Sequence, residues 1–442
     1  MGQEKEARTI IKPRLLKGFR DSLPDAEIPK KAIIGRLEQL FSSYGFVPID
    51  TPALEYTEVL LGKGGGETDK QIFHFEDNGG RDVAMRFDLT VPFARFLALN
   101  RNSLPMPFKR YHVNKVWRGE NPQKGRYREF IQCDFDIVGL DNAEADFEIL
   151  SVMHASFALM GVEHYRFHLA HRGIFNQMLA HLQIAEHNSE ILRIVDKLRK
   201  IGRLAVLEQL QALLGDSTKA QAILRYIEKE REDEPFLTTL ARLEELGGGE
   251  SEHSRRMRTI HAYLVEAQID EHYILDPSIT RGLDYYTGLV YETFLVDLPH
   301  YGSVCSGGRY NDLASLYTKE HLPGVGSSIG LDRLMSALTE LGSPIAQSGS
   351  SADVAILNTP SSPFAERDRA ARTLRKANIA VSVYLDERKI GAQYKWAESQ
   401  AIRFVLTDGQ RDRFTLKDLQ SKEVWEAVSA DEAAAIITKE LH

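Results

Sequence analysis

Two adjacent tyrosines stand close to an arginine and an acid in the stretch RGLDYYTGLVYE, residues 281–292. Polar side chains that could contact a bound molecule are those of Arg281, Asp284, Tyr285 and Tyr286. The glycines predict a turn that presents these groups, and the following YETFLV predicts a strand whose alternate residues can line a pocket. A hairpin with one aromatic face fits the same pattern.

A basic stretch lies between Phe108 and Phe130, where seven basic residues stand against two acidic ones, a local charge of +5. The basic residues are Lys109, Arg110, Lys115, Arg118, Lys124, Arg126 and Arg128. Charged runs usually form solvated faces, but this one is interleaved with Tyr111, Trp117 and Tyr127. The pattern therefore favours a polyanion site, although the net charge of the whole chain is -8.

Gln132, Asp134 and Asp136 alternate along a predicted strand, so their side chains share one face of a sheet. Alternation on both sides of GENPQKG, residues 119–125, predicts that this strand forms a hairpin with the strand before it. A solvated sheet face would show the same alternation.

Two stretches resemble signatures of the histidyl-tRNA synthetases. They are RGLDYYTG at 281–288, described above, and SGGRY at 306–310. The likeness extends over nearly the whole chain. It implies ATP-dependent activation of L-histidine to histidyl-adenylate, followed by transfer of the histidyl group to the 3′ end of tRNA(His). It also implies a homodimer, with Mg²⁺ accompanying the ATP because the β and γ phosphates need neutralising.

By this resemblance, the histidine-binding residues are Asp88, Thr90, Gln132, Asp136, Tyr285 and Tyr286. Asp88 and Thr90 would hold the α-ammonium group, although an acid just before a helix is also a common N-cap. Gln132 would address the polar end of the amino acid, and Asp136 with Tyr285 the imidazole, whose tautomer a buried carboxylate can fix. For Asp134 we expect only a structural role.

The stretch 109–139 resembles motif 2 of class II synthetases, and GVGSSIGLDRLMSAL at 324–338 resembles motif 3. The implied ATP-binding residues are Arg118, Glu120, Arg126, Phe130 and Arg333. Arg118 would stabilise charge that gathers on the attacked α-phosphate, and Arg281 would be the second catalytic arginine. Phe130 would stack on adenine.

The helices and strands predicted around these residues, together with the resemblance, indicate an α+β fold with an antiparallel, helix-flanked catalytic sheet. The catalytic domain would comprise residues 1–172 and 256–345, interrupted by a helical insertion at 173–255. Apolar spacing predicts a helix from about Lys30 to Tyr44, with Pro29 in its first turn and Gly45 ending it. By resemblance, the following segment with Pro52 forms the dimer.

After a linker, residues 352–442 predict a small α/β domain, β-α-β-α-β-β with a closing helix and a mainly parallel sheet. From residue 351 its 14 basic and 14 acidic residues balance, so composition does not indicate RNA. The resemblance does, because the family carries its anticodon-binding domain here. Residues 408–411 depart from the family pattern and leave the anticodon contacts unassigned.

Bulk properties narrow the class of protein further. With 442 residues, 43% hydrophobic and 27% charged, the chain is expected to be soluble and, with only two cysteines and no CxxC, cytoplasmic. The glycines at 62–66 and 324–330 match neither a phosphate loop nor a dinucleotide fingerprint. His164, His168 and His171 fall on both faces of a predicted strand, which disfavours a metal site.

Two non-catalytic alternatives fit the same resemblance. One is a histidine sensor like the synthetase-like regulatory subunit of ATP phosphoribosyltransferase, and the other is a synthetase-like sensor of uncharged tRNA. Such relatives tend to lose catalytic arginines, whereas Arg118, Arg281 and Arg333 are all present here. Since about ninety residues also follow the linker, the sequence favours the enzyme.

Overall fold

The computed structural model describes residues 11–62, 72–229, 234–279, 285–347, 349–407 and 412–441. The chain divides into two compact units, one of residues up to 21 and 33–345, the other of residues 22–32 and from 346 onward. Arg281, Asp284 and the glycines at 64–66 lie outside the described residues, as do positions 408–411.

The first unit is built on a large mixed sheet. Its strands are β1 (Val47–Pro48), β2 (Leu54–Tyr56), β3 (His74–Glu76), β4 (Asp82–Met85), β5 (Phe108–Trp117), β6 (Glu129–Val138), β7 (Tyr165–His171), β8 (Tyr273–Leu275), β9 (Leu289–Leu295), β10 (Cys305–Arg309) and β11 (Gly324–Gly330). Eight of them pair in the order β1-β5-β6-β11-β10-β9-β7-β8, while β2-β4-β3 form a separate small sheet. In the large sheet β1–β5 and β7–β8 are parallel and the other pairs are antiparallel, which confirms the predicted catalytic sheet.

Helices flank and interrupt this sheet. They are α1 (Pro24–Ser43), α2 (Thr57–Leu61), α3 (Thr90–Asn100), α4 (Ala143–Leu159), α5 (Arg172–His181), α6 (Asn188–Val195), α7 (Leu198–Leu214), α8 (Ser217–Ile227), α9 (Phe236–Leu246), α10 (Glu252–Glu266) and α11 (Leu331–Glu340). Helices α5 to α10 lie between β7 and β8 in the chain, which confirms a helical insertion in the catalytic fold.

The first helix ends as predicted but begins earlier. Gly45 takes φ +80° and donates its N–H to the Ser42 carbonyl, while the Phe46 N–H bonds to that of Phe41, an arrangement that ends a helix. The predicted start is wrong, because α1 begins at Pro24 and Pro29 lies inside it. A proline at the first position of a helix costs no hydrogen bond, because an N–H there would have no partner within the helix. Pro29 lies inside the helix and loses the hydrogen bond that an N–H at its position would have made.

Alternation along the β5–β6 hairpin separates an apolar face from a polar one. On the apolar face Phe135 packs against Phe41 of α1, with ring centroids 5.0 Å apart, and Phe41 also contacts Tyr111. Because successive side chains point to opposite sides of a sheet, Gln132, Asp134 and Asp136 face away from α1.

The second unit contains β12 (Val354–Ile356), α12 (Phe364–Lys376), β13 (Val381–Val383), α13 (Ile390–Ser399), β14 (Phe404–Thr407), β15 (Phe414–Asp418), β16 (Val424–Val428) and α14 (Ala430–Leu441). The strand order is β13-β12-β14-β15-β16, with the first two pairs parallel and the last two antiparallel. The predicted α/β domain is confirmed, but its sheet is only half parallel. The sequence analysis missed β16, whose side chains are largely exposed and therefore show little apolar periodicity.

Candidate active site

The polar face of β6 forms the floor of the site. Gln132 lies opposite Gly330 of β11, Asp134 opposite Ser328, and Asp136 opposite Gly326. On its other side β6 places the same residues opposite Asn114, His112 and Arg110 of β5, respectively. The predicted sharing of one face by Gln132, Asp134 and Asp136 is therefore confirmed, and all three are buried.

Asp136 is fixed from two sides. Its Oδ2 pairs with Arg110 Nη2 at 2.7 Å, and its Oδ1 accepts a hydrogen bond of 2.5 Å from the Tyr310 hydroxyl. Burial raises the pKa of Asp136 above its usual value, against the charge of Arg110 and the Tyr310 hydrogen bond. The sequence analysis missed both partners. A register counted symmetrically outward from GENPQKG would pair Arg110 with Asp134, whereas the observed register is shifted by two residues and pairs Arg110 with Asp136.

Gly326 leaves room for this carboxylate. A Cβ at Gly326 would lie 1.9 Å from Asp136 Oδ1, whereas one at Gly330, on the same strand, would have its nearest neighbour at 3.6 Å. We therefore expect Gly326→Ala to displace Asp136 and, for the histidine substrate that the resemblance implies, to raise the KM about tenfold or more, since overpacking of this kind costs about 1–3 kcal/mol. Gly330→Ala is the matched control, expected within about twofold of the native KM in steady-state kinetics. Equal effects of the two changes would refute this account.

Only one carboxylate oxygen of Asp88 accepts a backbone hydrogen bond. Its Oδ1 accepts the Val91 N–H at 3.1 Å in the first turn of α3, although Leu89 and not Asp88 occupies the N-cap position, while Oδ2 is buried without a hydrogen-bond partner in the described part of the chain. Burial raises the pKa of Asp88 to about 6, against the Val91 hydrogen bond and the charge of Arg118. The structure thus satisfies the structural role and leaves one oxygen for a ligand.

Three further buried oxygens of the site are without a hydrogen-bond partner among the described residues: Gln132 Oε1, Asp134 Oδ1 and Asp136 Oδ2, of which the last is ion-paired with Arg110. Gln132 donates its amide N–H to the hydroxyl of Ser328 at 2.7 Å, and Ser328 lies opposite Asp134 in the neighbouring strand, where its hydroxyl lowers the pKa of that carboxyl group. Burial raises the pKa of Asp134 to about 7, and the charge of Asp136 raises it as well, against that of Arg110. These acceptors suit a ligand that brings several N–H donors.

We call the site of Asp88, Gln132, Asp134 and Asp136 the acid pocket. Tyr285 and Tyr286 close it. Their rings meet edge to face with centroids 4.8 Å apart, and the Tyr285 side chain hydrogen-bonds Thr90. The charges of Asp88 and Asp134 act on both hydroxyl groups. The structure thus brings together the predicted histidine-binding residues.

A cavity of about 920 Å³ contains the predicted ATP-binding residues. Arg118, Glu120, Arg126, Phe130 and Arg333 all line it, together with Gln132. Arg118 is held by a 3.0 Å hydrogen bond from Nε to the Phe87 carbonyl, and its guanidinium lies 5.2 Å from the centre of the Phe130 ring. Since Phe87 precedes Asp88, Arg118 stands where the cavity and the acid pocket meet.

Three cations converge in this cavity. Burial, together with the nearby charges of Arg126 and Arg118, lowers the pKa of Arg333 to about 10. Arg333 is anchored by a 2.5 Å hydrogen bond to the Ser303 carbonyl, and Arg126 lies 3.6 Å from Glu120. Guanidinium groups that repel one another around a cavity favour a polyanionic ligand between them.

Only part of the basic stretch faces the cavity. Arg110 is buried against Asp136, while Lys109, Lys115 and Lys124 pair with Glu148, Glu129 and Glu340. Alternation explains the difference, because neighbours in a strand point to opposite faces and meet different partners. Among the seven cations Arg118 and Arg126 line the cavity.

Other candidates have partners of their own. His168 Nδ1 lies 2.6 Å from Asp276, and His171 Nδ1 accepts the Gly173 N–H. Within the described ranges no group of three or more His, Cys, Asp or Glu side chains could hold a metal ion, and no helix there is long and apolar enough to cross a membrane.

Two protein-family models and several known proteins match this chain. The family model described as histidyl-tRNA synthetase matches residues 18–334, and the one described as anticodon binding domain matches residues 353–440. The histidine–tRNA ligase of Treponema denticola is 52% identical over 400 residues, 90% of this chain and 89% of that protein. The histidine–tRNA ligase of Rhodopirellula baltica is 45% identical over 407 residues, 90% of this chain and 91% of that protein.

Solved structures show the same fold. A crystal structure of histidyl-tRNA synthetase from Nostoc superposes with a TM-score of 0.86 at 31% identity and covers 98% of this chain and 100% of that chain. An ATP phosphoribosyltransferase regulatory subunit/histidyl-tRNA synthetase from Bacillus halodurans gives a TM-score of 0.73 at 22% identity, covering 90% of this chain and 100% of that one. The latter likeness concerns the fold alone.

Proposed function

This chain belongs to the histidyl-tRNA synthetase family, and from that membership we propose how its own residues carry out the family's reaction. The reaction is histidine–tRNA ligation. Histidine is activated with ATP to histidyl-adenylate, and the histidyl group is then transferred to the 3′ end of tRNA(His).

One observation supports the residue assignment best: an acceptor-rich acid pocket adjoins a cavity with three arginines. Asp88 Oδ2 and Gln132 Oε1 offer acceptors to the α-ammonium group of histidine, and Thr90 lies beside them. Arg118, Arg126 and Arg333 face the triphosphate from the other side. The histidine carboxylate is then held between the two groups, next to the α-phosphate.

Activation needs positioning and charge stabilisation and no protein nucleophile. A carboxylate oxygen of histidine attacks the α-phosphorus, the bond to the bridging oxygen breaks, and pyrophosphate leaves with the electron pair. Negative charge grows on the α-phosphate oxygens, where the fixed guanidinium of Arg118 stabilises it. Phe130 stacks on adenine and Arg333 binds the terminal phosphate, with Glu120 and Arg126 beside them.

The imidazole is assigned to Asp136 and Tyr285. A carboxylate has about four lone-pair sites, so pairing with Arg110 and Tyr310 leaves Asp136 able to accept one imidazole N–H. Its fixed position supports selectivity, because a site built for polar pairing rejects analogues that leave its groups unpaired. Tyr286 packs against Tyr285 and completes the wall.

Mg²⁺ is proposed to accompany ATP. The carboxylates of Glu120 and Glu292 line the cavity near the arginines, and one or two carboxylates plus substrate phosphates are the ligands that Mg²⁺ usually takes. The ion would supply neutralising charge to the β and γ phosphates. Arg281, outside the described residues, keeps its proposed role at the α-phosphate.

A homodimer, a cytoplasmic location and the domain boundaries at 172, 255, 345 and 352 are further proposals. Exposed apolar side chains at Val47, Leu54 and Tyr56, on β1 and β2, support a contact with a second copy. Two free, buried cysteines, Cys133 and Cys305, fit a reducing compartment. The second unit would bind the anticodon of tRNA(His).

The assignment is tested by ATP–pyrophosphate exchange on the purified chain with each standard amino acid. We expect exchange with histidine and at most a trace with the others, followed by charging of tRNA(His). Binding of histidine without any exchange would instead support the regulatory alternative.

A further inference from the structure

Asp134 lies in a continuous polar row that crosses the sheet. In register across six neighbouring strands are His112, Asp134, Ser328, Ser306, Glu292 and His168. Asp134 is 1% exposed, and the charges of Arg110, Asp136 and Asp88 act on it. A carboxylate buried this deeply is costly unless something compensates its charge.

Ser328 ties Asp134 to Gln132. The hydroxyl accepts the Gln132 amide N–H at 2.7 Å, so its own proton is free to go to the Asp134 carboxylate. This chain fixes the Gln132 amide with Oε1 turned away from Ser328, and it leaves Asp134 Oδ1 without a partner in the described part of the chain. The two acceptors are thus held at the ends of one short hydrogen-bond chain.

Asp136 Oδ2 lacks a hydrogen bond but is ion-paired with Arg110, which leaves three buried acceptors with neither kind of partner among the described residues: Asp88 Oδ2, Gln132 Oε1 and Asp134 Oδ1. An ammonium group carries three N–H donors and one positive charge. We propose that Asp134 contacts the α-ammonium group of histidine as the third acceptor beside Asp88 and Gln132. This assignment rests on the proposed function and adds a binding residue to it.

Asp134 is better placed to bind the α-ammonium group of histidine than to bind its imidazole ring. The Ser328 chain joins Asp134 to Gln132, at the amino end of the substrate, whereas Asp136 is fixed by Arg110 and Tyr310 farther along β6. The balance of buried charges also favours the ammonium group. Three buried carboxylates, at positions 88, 134 and 136, stand against the two buried guanidinium groups of Arg110 and Arg86, which both interact with Asp134, so a cationic ligand group lowers the electrostatic cost.

The test compares ligands that differ in their amino group. Dissociation constants, or inhibition constants in ATP–pyrophosphate exchange, are measured for histidine, histidinol and imidazolepropionate with the native chain and with Asp134→Asn. Histidine and histidinol carry the amino group and should each bind about 10- to 100-fold more weakly to the variant, the loss of one charge-assisted hydrogen bond. Imidazolepropionate lacks the amino group and should change by less than about threefold.

Equal losses for all three ligands, or no loss for histidine, would overturn the assignment. Ser328→Ala is the second variant, and it is measured if Asp134→Asn does not fold; it should also weaken the two amines selectively, because it breaks the chain between Gln132 and Asp134. A uniform effect of Ser328→Ala would count against the proposal. Absence of histidine-dependent exchange by the native chain would refute the proposed function itself, which separates the two failures.

Discussion

Replacing Arg118 by alanine should slow histidyl-adenylate formation by about 100- to 1,000-fold, the usual effect of removing one fixed donor from a developing negative charge. Its guanidinium is held between the Phe87 carbonyl and the Phe130 ring, at the junction of the cavity and the acid pocket. ATP affinity should fall less than about tenfold, because Arg126 and Arg333 still face the triphosphate.

Single-turnover adenylation and equilibrium ATP binding measure the two effects separately. Arg118→Lys should restore little of the rate, since a mobile ammonium group cannot reproduce the planar, anchored guanidinium. Lys115→Ala is the matched control: Lys115 lies on the same hairpin, is exposed and pairs with Glu129, so its loss should leave the rate within about twofold. A rate loss no larger than the loss in ATP affinity would place Arg118 in ground-state binding only.

The sequence predicted the parts of the site that depend on short-range geometry. Alternation placed Gln132, Asp134 and Asp136 on one face, and the end of α1 at Gly45 followed from local backbone conformation. Prediction failed where register or burial decides. Arg110 was counted among polyanion-binding cations, although the hairpin register buries it opposite Asp136.

For Asp134 the sequence analysis made the opposite error: it assigned no binding role to a residue for which the structure supports one. Two carboxylates on alternate positions look alike in a sequence, and the family resemblance assigned a role to Asp136 and none to Asp134. The structure separates them by their partners: Asp136 is ion-paired with Arg110 and hydrogen-bonded to Tyr310, while Asp134 Oδ1 has neither an ion-pair nor a hydrogen-bond partner among the described residues. Partners across a sheet depend on strand order, which short motifs do not contain.

The largest stability effect is expected for Arg110→Met. Arg110 is fully buried, pairs with Asp136 at 2.7 Å, and its guanidinium lies 4.2 Å from the centre of the Phe93 ring. Its charge also lowers the pKa of Asp134 and Asp136 against the effect of burial. Removing the cation while keeping its volume leaves these carboxylates uncompensated, so the free energy of unfolding should fall by about 3–5 kcal/mol at pH 8.

The pH dependence of that loss identifies its cause. A carboxyl group whose pKa is higher in the folded than in the unfolded state costs stability as the pH rises through the folded pKa, and the cost disappears below the unfolded value. Without Arg110 the folded pKa values of Asp134 and Asp136 rise further, so the difference from the native chain should shrink on going from pH 8 to pH 5. Urea unfolding at both pH values measures it. Asp136→Asn combined with Arg110→Met should recover part of the loss, because it removes one of the uncompensated charges; a loss independent of pH, or strict additivity in the double variant, would instead assign the effect to packing against Phe93.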